Sequence, residues 1–124
     1  MKVFKNVWFG RFARKERISA DALWDAVERA EKGQIDADLG GGVIKQRIAR
    51  PGEGKSKGYR SIVLFRKGEK SFFVYCFPKS ERGNIRDDEE EQFKKMAKLV
   101  LALTDAQLGE LISSGQFEEV AKDG

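Results

Sequence analysis

The sequence predicts an α+β fold: a small antiparallel sheet of three to four strands, with helices before it and helices after it. Three observations carry this expectation. Apolar residues recur at helical spacing up to residue 33, runs rich in β-branched and aromatic residues fill 43–77, and helical spacing returns beyond residue 87. The 124 residues are 40% hydrophobic and include nine Phe. That suffices for one core in one domain spanning 1–124, and it is too apolar for a disordered chain.

The elements follow in order. Val3, Phe4, Val7, Trp8, Phe9 and Phe12 predict an extended start and then a short amphipathic helix near 6–15, with the aromatic stripe in the core. Ser19 is a good N-cap. Ala22, Leu23, Ala26, Val27 and Ala30 mark one face of a helix over 20–32, Gly33 ends it, and Trp24 closes over the core from beside that face. "DADLGGG" (36–42) reads as a flexible turn; no Gly-Lys-Ser/Thr follows it, so it is not a phosphate loop. "VIKQRIA" (43–49), "YRSIVLFR" (59–66) and "SFFVYCF" (71–77) read as strands of a meander. A longer loop, "RPGEGKSKG", joins the first two, and "KGEK" turns between the last two. Pro78 ends the third strand. The acids of "DDEEEQ" (87–92) suit a helix N-terminus, and Phe93, Met96, Ala97, Val100, Leu101 and Leu103 form that helix's buried stripe. Thr104 caps a last short helix, and "SGQFEEVAKDG" is a docked or frayed tail.

Composition removes several classes of chemistry. The chain has no His and one Cys, so Ser-His-Asp and Cys-His pairs and a structural zinc site are excluded. Cys76, inside "FFVYCF", reads as a small core hydrophobe. A metal site built from Asp87–Glu91 has no second half elsewhere in the sequence. No cofactor is expected. No signal peptide and no spanning apolar run are visible, so a soluble cytoplasmic protein without a membrane partner is expected.

What remains is basic. Residues 43–86 hold twelve Lys or Arg and three acids, whereas 87–124 hold four Lys and ten acids. In "IKQRIARPGEGKSKGYR" (44–60), six cations (Lys45, Arg47, Arg50, Lys55, Lys57, Arg60) face one acid, Glu53. Strand alternation puts Lys45 and Arg47 on one face, and Arg60 begins the adjoining strand. "KSER" (79–82) adds Lys79, Glu81 and Arg82 beside them. Mutually repelling charges call for an anionic partner, most simply nucleic-acid phosphate; the alternative is a solvated face. Such a cluster also suits RNA cleavage by the 2′-hydroxyl, which needs a base, an acid and positive charge on the phosphorane. Lysine can transfer protons and arginine can stabilise the charge.

"GGVIKQRIARPGEGKSKGYRSIVLFR" and "FFVYCFPKSERGNI" resemble the RelE/HigB-type toxins of bacterial type II toxin–antitoxin pairs, within the RelE/ParE superfamily. The likeness covers about residues 4–103, leaving 104–124 as a C-terminal helix and tail. It implies a microbial-RNase-like sheet flanked by helices. It also implies a ribosome-dependent mRNA endoribonuclease acting in the A site, and a cognate antitoxin, in HigB-type pairs a helix-turn-helix protein, that forms a hetero-oligomer with the toxin. By the resemblance, Arg60 in "GYR" matches the phosphate-stabilising arginine, Lys45 and Arg47 take basic strand positions, and Arg82 matches a basic position after the last strand. Lys45, Lys57 or Glu81 are candidates for proton transfer. Arg50, Lys55, Tyr59, Lys79 and Arg86 are candidate RNA contacts. The chain departs from the family at Ser80, where relatives carry arginine, and at Arg86, near a tyrosine that stacks on the substrate base; Tyr59 or Phe77 substitute only in part. A ParE-like gyrase inhibitor or a non-catalytic nucleic-acid or antitoxin-binding module are the alternatives.

Overall fold

The computed structural model describes residues 1–122, apart from the side chains of 54–56. Strand β1 (Lys2–Asn6) leads into helices α1 (Val7–Glu16) and α2 (Ala20–Glu31). Strands β2 (Ala37–Gly40), β3 (Val43–Arg50), β4 (Gly54–Arg66) and β5 (Lys70–Pro78) follow, then helices α3 (Asp87–Val100) and α4 (Asp105–Ser113) and strand β6 (Phe117–Glu119). The α+β class holds, with one correction: the sheet has six strands, in the order β2-β3-β4-β5-β1-β6. The β3-β4-β5 meander is antiparallel as expected, but β1 enters beside β5 in parallel.

The three added strands share a cause. β1 is short, β2 lies in the glycine-rich stretch read as a turn, and β6 lies in the stretch read as a tail. Each is held by a neighbour distant in sequence or by an irregular ladder. β1 pairs with β5 and β6, and the β2–β3 register shifts between Asp38 and Gly40. The expected long loop after β3 is also mostly strand, because β4 begins at Gly54.

Local chemistry explains the helix starts. Asn6 accepts from Phe9 N at 2.8 Å and Ser19 from Ala22 N at 3.2 Å, each satisfying one of the free N–H groups of a first turn. Thr104 and Gln107 exchange the two bonds of a capping box. At α3, Glu89 reaches back to the Arg86 N–H at 2.8 Å.

The sheet is covered on both faces. One core holds Phe9, Ala13, Leu23 and Val27 of α1 and α2 against Ile44, Ile48, Val63, Phe73 and Cys76. The other holds Ala97, Leu101 and Leu108 against Val43, Ile62, Leu64, Phe72, Val74 and Phe77. Cys76 is buried, and burial first, then the charge of Glu16, pushes its thiol pKa up. Of the expected aromatic stripe, Trp8 leaves the core: it is 42% exposed and packs against Phe12 and Tyr75, with centroids at 5.2 and 4.7 Å.

Two irregularities position the site. The β4–β5 register jumps from Ile62↔Tyr75 to Val63↔Phe73, so Val74 is an extra residue. This reverses the alternation, and Tyr75 and Phe77 join the α3 side while Cys76 takes the other. Gly40, at the end of β2, and Gly41 and Gly42, between β2 and β3, all have positive φ, and at Gly42 (φ 84°) an added Cβ would lie 2.7 Å from Leu101 Cδ1. Gly42→Ala is expected to lose about 1–3 kcal/mol in a urea unfolding titration, because it combines αL strain with a clash against the α3 anchor. Gly68→Ala, with φ 75° and open space around it, carries only the strain and should lose less.

Candidate active site

The site begins with the alternation of β3. Gln46, 1% exposed, points to the α1–α2 side, where its amide donates to Ala26 O (2.9 Å) and Gln34 O (3.3 Å) and accepts from Asp36 N (2.7 Å). Its neighbours Lys45 and Arg47 therefore face the α3 side. Across the ladder, Lys45 opposes Ile62 and Arg47 opposes Arg60, and Arg60 in turn opposes Phe77 of β5. Three of the expected cations, Lys45, Arg47 and Arg60, thus share one sheet face, with Arg47 and Arg60 directly opposite each other.

Like charges opposite one another destabilise a ladder, so their partners matter. Arg47 is drawn toward the sheet edge, where its Nε lies 3.6 Å from Asp36 Oδ1 and its backbone N–H donates to Asp36 Oδ2 at 2.7 Å. Arg29 of α2 holds the same carboxylate at 3.5 Å and donates to the Arg47 carbonyl. Arg47 remains half exposed. Arg60 has no ion pair among the described residues, and its Nε is buried with no hydrogen-bond partner. A buried orphan donor on a guanidinium is costly unless an anion arrives to accept it.

The segment 79–86 borders this face. Lys45 Nζ donates to Asn84 Oδ1 at 3.1 Å. Arg82 donates to Asn84 O (2.8 Å), to the Tyr75 hydroxyl (3.1 Å) and to Glu89, and it lies near the rings of Tyr75 and Phe77. Glu89 is held below the usual carboxylate range, first by its bond from Arg82 and then by the Arg86 backbone N–H. Arg86 is exposed and pairs with Asp88 at 3.0 Å, which lowers that carboxyl too. Arg82 and Arg86 are therefore neutralised by the first turn of α3, while Lys45, Arg47 and Arg60 of the strands are not.

Other expected contacts lie elsewhere. Tyr59 is 2% exposed on the α1–α2 side; its hydroxyl donates to Glu16 at 3.1 Å and its ring meets Phe12 edge-on. Burial and Glu16 push its phenol up to about 12. It is a core residue, because the alternation that presents Arg60 turns Tyr59 inward, and it offers no ring to a base. Arg50 follows it to that side, 5.6 Å over the Tyr59 ring and paired with Glu53 at 3.6 Å. Lys57 and Lys79 line an open depression of about 460 Å³ with Arg50, Glu53 and Ser80. Glu81 is exposed and makes no ion pair with these cations among the described residues. The Lys55 side chain lies outside the described residues. Asn84, Asp36 and Glu89 are the members that residue-type reasoning missed. Only "K-S-E-R-x-N-I" held a signal for Asn84, and nothing in the sequence marked Asp36 as the partner of Arg47. Among the described residues no group of His, Cys, Asp or Glu is placed to hold a metal.

Fold and face together define a small basic α+β domain with a cationic sheet surface. Residues 1–120 match the family model for the RelE toxin of the RelE/RelB toxin–antitoxin system, and the chain belongs to that family. No curated protein matches it.

Two outcomes follow. Arg60→Met should leave stability unchanged or raise it by about 0.2–1 kcal/mol, since it removes a like-charge opposition and an orphan donor. Thermal unfolding of the purified variant checks this. The Glu89 pKa is depressed in the folded state, so its contribution is present above the unfolded value and lost as pH falls through the folded one. Unfolding midpoints measured from neutral pH down through the acid range should therefore fall less steeply in Glu89→Gln than in the wild type.

Proposed function

We propose that this RelE-family toxin is a ribosome-dependent endoribonuclease that cuts mRNA in the A site and so inhibits translation. One observation carries the reading: Arg47 and Arg60 oppose each other across β3 and β4, beside Lys45, with Arg60 Nε buried and unpartnered. That arrangement raises the energy of the free protein and is relieved by a phosphate.

In the proposed reaction the 2′-hydroxyl loses its proton and its oxygen bonds to the adjacent phosphorus. The bond to the 5′-oxygen breaks, and that oxygen takes up a proton from solvent water, leaving a 2′,3′-cyclic phosphate. Arg60 and Arg47 hold the non-bridging oxygens as their charge grows. Lys45, on the same face, takes the 2′-hydroxyl proton. The chemistry runs without histidine, which the chain lacks. Lys57, Lys79 and Arg50 contact phosphates further along the chain, and Arg86 lies at the margin. Glu81, apart from the strand cations, is left without a proton-transfer role in this scheme.

RelE toxins are paired with antitoxins. Here the partner is proposed to be a helix-turn-helix protein that forms a toxin–antitoxin hetero-oligomer, and the site of action is the cytoplasm. Among the described residues no helix is long and apolar enough to cross a membrane.

Induced expression of the wild type should arrest growth and leave codon-phased mRNA ends in primer extension. Arg60→Ala should remain folded and abolish both, with cleavage on programmed ribosomes falling by about 10²–10³-fold, as for loss of one preorganised donor. Intact mRNA with DNA damage would instead indicate a gyrase-directed toxin. RNA binding with steep salt dependence and no cleavage would indicate a non-catalytic module.

A further inference from the structure

Segment 79–86 has no regular secondary structure beyond turns, yet its position over the cationic face is fixed by side chains. Ile85 anchors it in the α3-side core. Arg82 uses all three of its nitrogens on protein acceptors, namely Asn84 O, the Tyr75 hydroxyl and Glu89. Arg82 is thereby a strut between sheet, segment and helix. What the strut holds in place is Asn84, whose Oδ1 accepts from Ile85 N at 2.9 Å and from Lys45 Nζ at 3.1 Å. Two donors on one oxygen also fix which end of the amide faces the lysine.

We propose that Asn84 is the positioning residue for the Lys45 amine, held in place by Arg82. This rests on the nuclease reading above. A lysine amine sits on a flexible four-carbon stem and has no preferred direction of its own. A neutral carbonyl oxygen suits the task better than a carboxylate. It accepts an N–H from Lys45 both when the lysine is an ammonium and when it is a free amine. In the amine state, the bond to Asn84 occupies one N–H and leaves the nitrogen lone pair directed at the bound substrate. The 2′-O–H bond then breaks as a new N–H bond forms, and the Asn84 contact persists throughout. A carboxylate would instead cancel charge on a face that needs it.

The test is steady-state cleavage of mRNA on programmed ribosomes by wild type, Asn84→Ser, Lys45→Ala and the double variant, with Arg60→Ala as the control for the site itself. Serine keeps an acceptor short enough to cap Ile85 N but cannot reach Lys45, so the segment stays folded; unchanged thermal unfolding verifies this. Asn84→Ser should lower kcat by about 10–100-fold, the scale of an ångström-level misplacement, with KM nearly unchanged. In the Lys45→Ala background the same substitution should have no further effect. A wild-type kcat in Asn84→Ser, a change confined to KM, or an equal penalty in both backgrounds overturns the positioning role alone, provided wild type cleaves and Arg60→Ala does not. If wild type fails to cleave, the nuclease reading falls and this inference with it.

Discussion

Burial of Gln46 sets the register on which the cationic face depends. Its amide is satisfied by α2, by Gln34 and by Asp36, and Ser61 of β4 donates to its carbonyl at 2.7 Å. A slip of β3 by one residue would drive Lys45 and Arg47 into the α1–α2 core and expose Ile44, Gln46 and Ile48 on the other side. Because those bonds tie β3 to β4 and to α2 together, such a slip would break several of them. The opposition of Arg47 and Arg60 is thus imposed from beneath, by a neutral buried side chain, against the repulsion of the two charges.

Charge on the face is divided between two kinds of support. The strand cations sit on rigid backbone, with only Asp36 drawing on Arg47. Arg82 and Arg86, after β5, are tied to Glu89 and Asp88, at the start of a helix whose own dipole favours acids there. The acidic opening of α3, which by sequence reads as helix chemistry alone, also serves as the counter-charge that shapes segment 79–86. Arg60 lies beyond its reach and keeps an unanswered donor.

Helices α2 and α4 were legible in the sequence because each carried a cap, at Ser19 and Thr104, and α1 and α3 because apolar residues recur at helical spacing. The meander was legible because β3 alternates and β5 is nearly all apolar. The sheet's outer strands were not, since β2 and β6 are three or four residues long and gain their ladders from neighbours. At the site, the alternation of β3 correctly paired Lys45 with Arg47 and set them apart from Ile44 and Ile48. It did not disclose that Tyr59 turns inward or that Arg50 follows it. The bulge at Val74 was invisible in "SFFVYCF", where every candidate position is apolar, yet it decides that Tyr75 and Phe77 face Arg82. Asn84 and Asp36 are ordinary polar residues in connecting segments, and their partners are defined only by the folded chain.

The placement of β1 has a consequence for how the molecule is made. β1 lies between β5 and β6, and its pairing with β6 joins Phe4 to Glu119, with Val120 N donating to Val3 O at 2.7 Å. Contacts that distant in sequence close late and slowly. During synthesis, β1 can acquire its β5 neighbour well before β6 exists, leaving one side of β1 with unpaired N–H and C=O groups. The nascent chain therefore passes through a stage in which the cationic face is already assembled while the opposite edge remains open to whatever strand it meets first.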